Sequence, residues 1–299
     1  MAIVYVLLGV LALAAGIVLF ITKYRVKGKT FDANGVTIHY TDEGSGPPVV
    51  LMHGFGVQGD INWRWGGFIA RLRRDFRVIN MDVRGHGLSG KPRRPEDYGV
   101  ELAHDVIRLL DHLGIERAHV AGCSMGGFIT LKVVDLYPDR LLSAVACCAG
   151  WDTLNGEYRS LLNTIVQEME QRRSFDPITH WLDARRRAPR LQCMAVNFFM
   201  NWLNDVPAIV NVFRNFEGLV VEEASLRANP VPVLTMIGTK DGLYDIARRL
   251  DEVMANHELA VFEGCDHATV LLHRRFLPTL RGHLARHSPA REELGEAVA

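Results

Sequence analysis

The chain has 299 residues, 48% of them hydrophobic and 23% charged, which is enough apolar side chain for one large or two small domains and excludes a disordered chain. Its 34 basic side chains balance 34 acidic ones, removing any overall electrostatic case for a nucleic-acid partner. Five cysteines, an odd number without C-x-x-C spacing, spell neither a disulfide framework nor a zinc site.

From Ala2 to Ile21 no residue is charged. About twenty residues at about 1.5 Å rise match the hydrocarbon core of a bilayer. The segment is apolar all round, unlike a helix on the surface of a core. Residues 1–22 are therefore expected to be a transmembrane anchor. Residues 23–29, with Lys23, Arg25, Lys27 and Lys29, form a basic juxtamembrane flank that places the rest of the chain in the cytoplasm. The competing reading is a signal peptide cut near Ala12-Leu13-Ala14, which would leave a secreted or periplasmic protein. Against it, no basic side chain precedes the apolar run, and the run exceeds the usual length of such a segment.

Thr37 to Thr41 and Val49 to Met52 read as strands separated by the turn-rich Asp42 to Pro48. Arg77 to Met81 is a third. Leu102, Val106, Leu109, Leu110 and Leu113 recur at helical spacing, Ala118 to Ala121 is a strand, and Met125 to Leu136 is helical. Strands at Leu142 to Cys148, Pro232 to Ile237 and Leu259 to Phe262 follow, with helices near Ile246 to Met254 and from Ala268 to His287. This alternation predicts an α/β fold with a mostly parallel sheet covered by helices on both faces.

About eighty residues separate the strand ending near Ala149 from the one starting near Val231, when such connections normally take two to six beyond the helix. Leu161, Ile165, Met169, Trp181, Phe199, Trp202 and Phe213 suggest amphipathic helices there. The expected organisation is a core of 30–150 and 229–287, a helical cap at 151–228 and a polar tail at 288–299. Arg172, Arg173, Arg185, Arg186, Arg187 and Arg190 form a basic run in the cap, read first as a solvated face and second as a contact for anionic lipid headgroups.

Gly122-Cys123-Ser124-Met125-Gly126 matches G-x-S-x-G directly after a strand and before a helix, the context of a nucleophile elbow. A sharp strand-to-helix turn needs small neighbours, which Gly122 and Gly126 supply, and lifts the Ser124 hydroxyl above the sheet. A serine needs a base, and the base needs an orienting acid. Of twelve histidines, His267 follows the last strand; His53 and His86 sit in glycine-rich loops where structural hydrogen bonding is expected. Asp241 lies in the loop after the strand Pro232 to Ile237, at the carboxyl end of the sheet, and precedes His267, giving the order Ser, Asp, His. Asp152 is the rival acid, and Asp266 reads as a helix cap. An oxyanion would be held by the backbone NH groups of Met125 and Phe55, the latter in the loop His53-Gly54-Phe55-Gly56. Asp82-Val83-Arg84-Gly85-His86-Gly87-Leu88-Ser89 reads as a loop held by its own hydrogen bonds.

With these motifs in hand, residues 30 to 287 resemble the α/β-hydrolase family, on the His53 to Gly56 loop, the Asp82 to Ser89 loop, the elbow through Gly127, Asp241 and His267. The resemblance implies eight strands and a cap between strands six and seven. Serine in the elbow disfavours epoxide opening and dehalogenation, whose family members use aspartate there. The anchor, cap and Ser-Met-Gly-Gly elbow together resemble membrane-anchored monoacylglycerol lipases and carboxylesterases. That implies a cofactor-free Ser-His-Asp hydrolase acting on a small-molecule or lipid ester at a membrane. Lactone hydrolysis, carbon-carbon bond hydrolysis and haloperoxidase-like chemistry use the same elbow and stay open, as does a non-catalytic ligand sensor.

Overall fold

The computed structural model describes residues 26–151, 156–185 and 187–289. The apolar segment 1–22, Asp152, Arg186 and most of the 288–299 tail lie outside the described residues. Among the described residues, no helix is long and apolar enough to cross a membrane.

Eight strands form one sheet: β1 (Lys29–Ala33), β2 (Val36–Glu43), β3 (Pro48–Met52), β4 (Arg77–Met81), β5 (Ala118–Cys123), β6 (Leu141–Cys147), β7 (Val233–Gly238) and β8 (His257–Phe262). Their spatial order is β1-β2-β4-β3-β5-β6-β7-β8, antiparallel at β1-β2 and β2-β4 and parallel from β4 onward. β3 is almost wholly buried and β5 and β7 are buried throughout, as a parallel sheet covered on both faces requires. β1 alternates exposed and buried from Thr30 to Ala33, a run too short to stand out in the sequence. Its signal is Asn34-Gly35, both at positive φ (57° and 85°), the two-residue hairpin turn that folds β1 onto β2.

The helices are α1 (Phe68–Leu72), α2 (Glu101–His112), α3 (Met125–Leu136), α4 (Gly156–Arg172), α5 (Asp176–Trp181), α6 (Arg190–Leu203), α7 (Val206–Arg214), α8 (Glu223–Ala228), α9 (Tyr244–Arg248), α10 (Leu250–Val253) and α11 (Phe276–Arg286). The predicted helix near 246–254 is two short ones, α9 and α10. The predicted helix from Ala268 to His287 is a 3₁₀ turn at Thr269–Leu272 followed by α11. Pro278 explains the break: proline is tolerated in a first turn and not in a helix interior, so α11 starts just ahead of it.

Between β6 and β7 the chain runs through α4 to α8. α4 packs on α7. Hydrogen bonds fasten these inserted helices to the sheet-bearing part: Asn204 Nδ2 donates to Gly56 O (2.8 Å), Asn211 Nδ2 to Arg93 O (2.9 Å) and Trp151 Nε1 to Val221 O (2.7 Å). The inserted segment also meets the loop after β7, where Gly242 N donates to Leu182 O at 3.0 Å and Asp183 bridges to Asp241.

Candidate active site

At the carboxyl end of β5 the chain reverses into α3 through Ser124, at φ 53° and ψ −113°, a backbone region that side-chain-bearing residues rarely occupy. The turn is tight enough that a Cβ on Gly122 would lie 1.9 Å from the Gly126 carbonyl oxygen, and the packing against β3 is close enough that one on Gly126 would lie 2.7 Å from the carbonyl oxygen of Met52. Ser124 N donates to Cys147 O at 2.7 Å, tying the turn to the end of β6. The outcome is a serine hydroxyl held above the sheet by steric demand on both flanks.

The loop after β8 brings His267 to that hydroxyl. Its Nε2 is 2.9 Å from Ser124 Oγ, and its Nδ1 is 2.8 Å from Asp241 Oδ2 in the loop after β7. The other Asp241 oxygen accepts from Leu243 N at 2.9 Å, which fixes the carboxylate plane. Asp241 is buried. Burial by itself would push the His267 ring below its ordinary pKa, but the Asp241 charge and hydrogen bond outweigh it and hold the value above. An imidazole in this setting accepts a proton readily and keeps the resulting cation beside a carboxylate.

Phe55 and Met125 both line the cavity next to Ser124. Met125 opens α3, so its NH belongs to the helix's first turn and has no carbonyl four residues back within the helix. The Phe55 ring packs edge-on against Phe213 of α7 (4.7 Å between centroids) and against His86 (5.7 Å). His53 faces away from the chemistry: Nδ1 contacts Gly54 O at 2.8 Å and Nε2 accepts from Val83 N at 2.9 Å. Burial holds His53 and His86 below the ordinary histidine range, His86 at about 3. In the Asp82 to Ser89 loop, Asp82 accepts from Gly59 N and Leu88 N, and Arg84 clamps Asp105 of α2 at 2.6 and 2.5 Å. Its acid and guanidinium are thus committed to folding the loop. Asp266 accepts from Ala268 N, Thr269 N and Thr269 Oγ, a local cap.

Two side chains near the site gave no sequence signal. Asn62 Oδ1 accepts from Gly54 N at 3.0 Å, so the loop carrying Phe55 is pinned by a residue in a one-turn π-helix, Asp60–Arg64. Cys148, the residue after β6, with φ 50°, donates its thiol to His267 O at 3.6 Å. Neither belongs to a motif; only the folded chain brings them in.

Above Ser124 lies a cavity of about 530 Å³ between the sheet and the inserted helices. Its walls are mainly apolar, with Val57, Phe128, Trp181, Val196, Met200 and Leu271 among them. Among the described lining residues the cationic side chain is Arg185, and it is paired bidentately with Asp183 at 3.1 and 3.0 Å.

Residues 47–273 match the model of the alpha/beta hydrolase fold family. The chain is 44% identical over 115 residues to the dihydrolipoyllysine-residue acetyltransferase component of the acetoin cleaving system of Pseudomonas putida, covering 38% of this chain and 30% of that one. It is 35% identical over 108 residues to bifunctional epoxide hydrolase 2 of Sus scrofa, covering 36% of this chain and 19% of that one. The chain therefore spans less than a third of the length of either curated relative. Among solved structures it resembles a carboxylesterase of Nitrososphaera gargenis, with a TM-score of 0.73 at 21% identity over 87% of this chain and 98% of that one, a likeness of fold. With the strand order, the serine turn after β5 and a family match over most of its length, the chain belongs to the alpha/beta hydrolase fold family.

Proposed function

We propose that this chain is a serine hydrolase of carboxylic esters with an apolar acyl group. The observation that carries the reading is the relay Ser124 Oγ, His267 Nε2, His267 Nδ1, Asp241 Oδ2, at 2.9 and 2.8 Å, on the floor of an apolar cavity. His267 takes the Ser124 proton as Oγ attacks the ester carbonyl, and Asp241 orients and stabilises the imidazolium. The Phe55 and Met125 NH groups hold the oxyanion; losing one such donor typically costs about 3 kcal/mol of transition-state stabilisation. His267 then protonates the departing alcohol, and water activated by the same ring releases the acid from the acyl-enzyme.

The lining supports a neutral substrate. A dienoate carrying its own carboxylate, the class cleaved at a carbon-carbon bond, needs a free cation, and Arg185 is engaged by Asp183. A lipid-like ester is supported by α6. At about 100° per residue, Gln192, Val196 and Met200 turn one face of this helix to the cavity, while Leu191, Met194, Phe198 and Trp202 form an exposed apolar stripe on another. Such a stripe suits the edge of a bilayer or micelle from which a substrate enters. We read residues 1–22 as a retained anchor and the catalytic part as cytoplasmic; protease protection of that part in right-side-out vesicles, and its digestion once they are opened, is the expected result.

The test is kcat/KM for the purified chain and Ser124→Ala on aryl esters of rising acyl length and on a monoacylglycerol. Serine-dependent rates that climb toward medium and long chains, with glycerol released, are expected. Rates confined to the shortest esters would overturn the lipid assignment, and normal turnover by Ser124→Ala would overturn the mechanism.

A further inference from the structure

At the amino ends of β5 and β8, the edge of the sheet opposite Ser124, a second group of polar side chains converges. Glu258 of β8 and His283 and His287, four residues apart at the end of α11, each bring one donor atom to within 4.8 Å of the others. His283 is fully buried, yet among the described residues neither of its ring nitrogens makes a well-formed hydrogen bond, and Nε2 of His287 is likewise buried and unpartnered. Buried polar groups in native proteins are nearly always satisfied, so three unpartnered ring nitrogens on two neighbouring histidines need a reason. Adjacent His119 makes the contrast, since its nitrogens meet Ser143 Oγ at 2.8 Å and Ser288 Oγ at 3.0 Å.

We propose that Glu258, His283 and His287 form a binding site for a divalent transition-metal cation, zinc being the best match. Two imidazoles and one carboxylate are ligands zinc uses, and histidines four apart on a helix present both rings to one side. His283 Nδ1 lies 3.8 Å from Glu258 Oε1, and the two imidazole centroids are 4.7 Å apart with planes at 59°. Bonds of about 2.1 Å in a tetrahedral shell put ligand atoms about 3.4 Å apart, so rotation of the partly exposed His287 and the exposed Glu258 side chain closes the site. A fourth position is left to water.

The surroundings suit a cation with one opposing charge. The carbonyl end of α11 carries negative partial charge toward the site. Arg286 donates to Glu258 Oε2 at 2.6 Å, which leaves Oε1 as the metal ligand and steadies the carboxylate while its charge weakens binding.

The test is calorimetric titration of zinc chloride into the full chain after chelator treatment, with thermal unfolding as a second readout; neither depends on catalysis. One saturable site is expected, together with a zinc-dependent rise in Tm. His287→Asn and Glu258→Gln, which alter the two less buried ligands and so spare the fold, should each weaken binding by about tenfold or more. Absence of saturable binding at millimolar zinc would overturn the proposal, as would binding unchanged in both variants. So would binding abolished by Cys148→Ala, because Cys148, Asp241 and His267 are the other described cluster able to hold a metal.

Discussion

Ser124 stands at φ 53° and ψ −113°, so Ser124→Gly and Ser124→Ala should separate catalysis from backbone strain. Both remove the hydroxyl and leave His267 Nε2 without that partner. Alanine keeps the Cβ and therefore the strain, which for a side-chain-bearing residue in such a region is about 1–3 kcal/mol. Glycine relieves it but gains freedom in the unfolded chain, a loss of about 0.4–1 kcal/mol. The glycine variant should therefore be more stable than the alanine variant by about 0.5–2 kcal/mol. At about 2–4 °C per kcal/mol for a chain of this size class, that is a Tm difference of a few degrees. Thermal and guanidinium unfolding of the two variants measure it, and ester turnover should be lost in both. If Ser124→Gly unfolds at or below the temperature of Ser124→Ala, the elbow is not strained and the account of how the serine is presented fails.

Asp241→Asn should keep the fold yet reduce kcat by about 10⁴, because Nδ1 of His267 loses the carboxylate that fixes its tautomer; a loss under tenfold in kcat would argue against the relay. Asp241 holds the His267 pKa above the ordinary histidine value of about 6.5, so kcat/KM should fall on acidification with a midpoint above that value, and a pH profile checks it. Stability carries the opposite sign. A folded pKa raised above the unfolded one contributes stability fully present below the unfolded pKa and lost as pH rises through the folded one, and His267→Gln should remove that slope from Tm against pH. Asn62→Ala frees Gly54 N and loosens the loop bearing Phe55, so kcat should fall about tenfold or more with little change in KM; a pure KM effect would place Asn62 in substrate binding instead. Phe198→Ser with Trp202→Ser should lower turnover of vesicle-borne ester and spare a soluble short ester, because each large apolar side chain removed forfeits about 1.5–3 kcal/mol of lipid burial; equal rates on both substrates would dismiss the stripe as a docking face.

Some of this molecule is written in local sequence. Buried parallel strands read as short apolar runs because both faces are covered, which is why Arg77–Met81 is recognisable without coordinates. Met125–Leu136 is equally legible because its glycine-flanked serine marks where strand gives way to helix. The elbow is local in part: Gly122 must be small because the turn itself brings the Gly126 carbonyl onto it, whereas Gly126 must be small because Met52 at the end of β3 lies against it. The long interval between β6 and β7 likewise announces inserted helices by length and apolar spacing.

Contacts between distant segments are decided elsewhere. Asn62 meets Gly54 because a π-helical turn curls over the loop, and Cys148 reaches His267 across 119 residues of chain. Asp241 and His267 come together because β7 and β8 are adjacent parallel strands whose following loops emerge at the same edge; chain order ranks them as candidates without supplying a distance. Glu258, His283 and His287 gave no motif either, since the helical pair needs a carboxylate from a strand to become a ligand set. Composition and short-range periodicity record what each segment must bury and where the backbone must turn. Only packing the segments on one sheet determines which polar groups end at the same point, because that depends on strand order and register, quantities that no single segment contains.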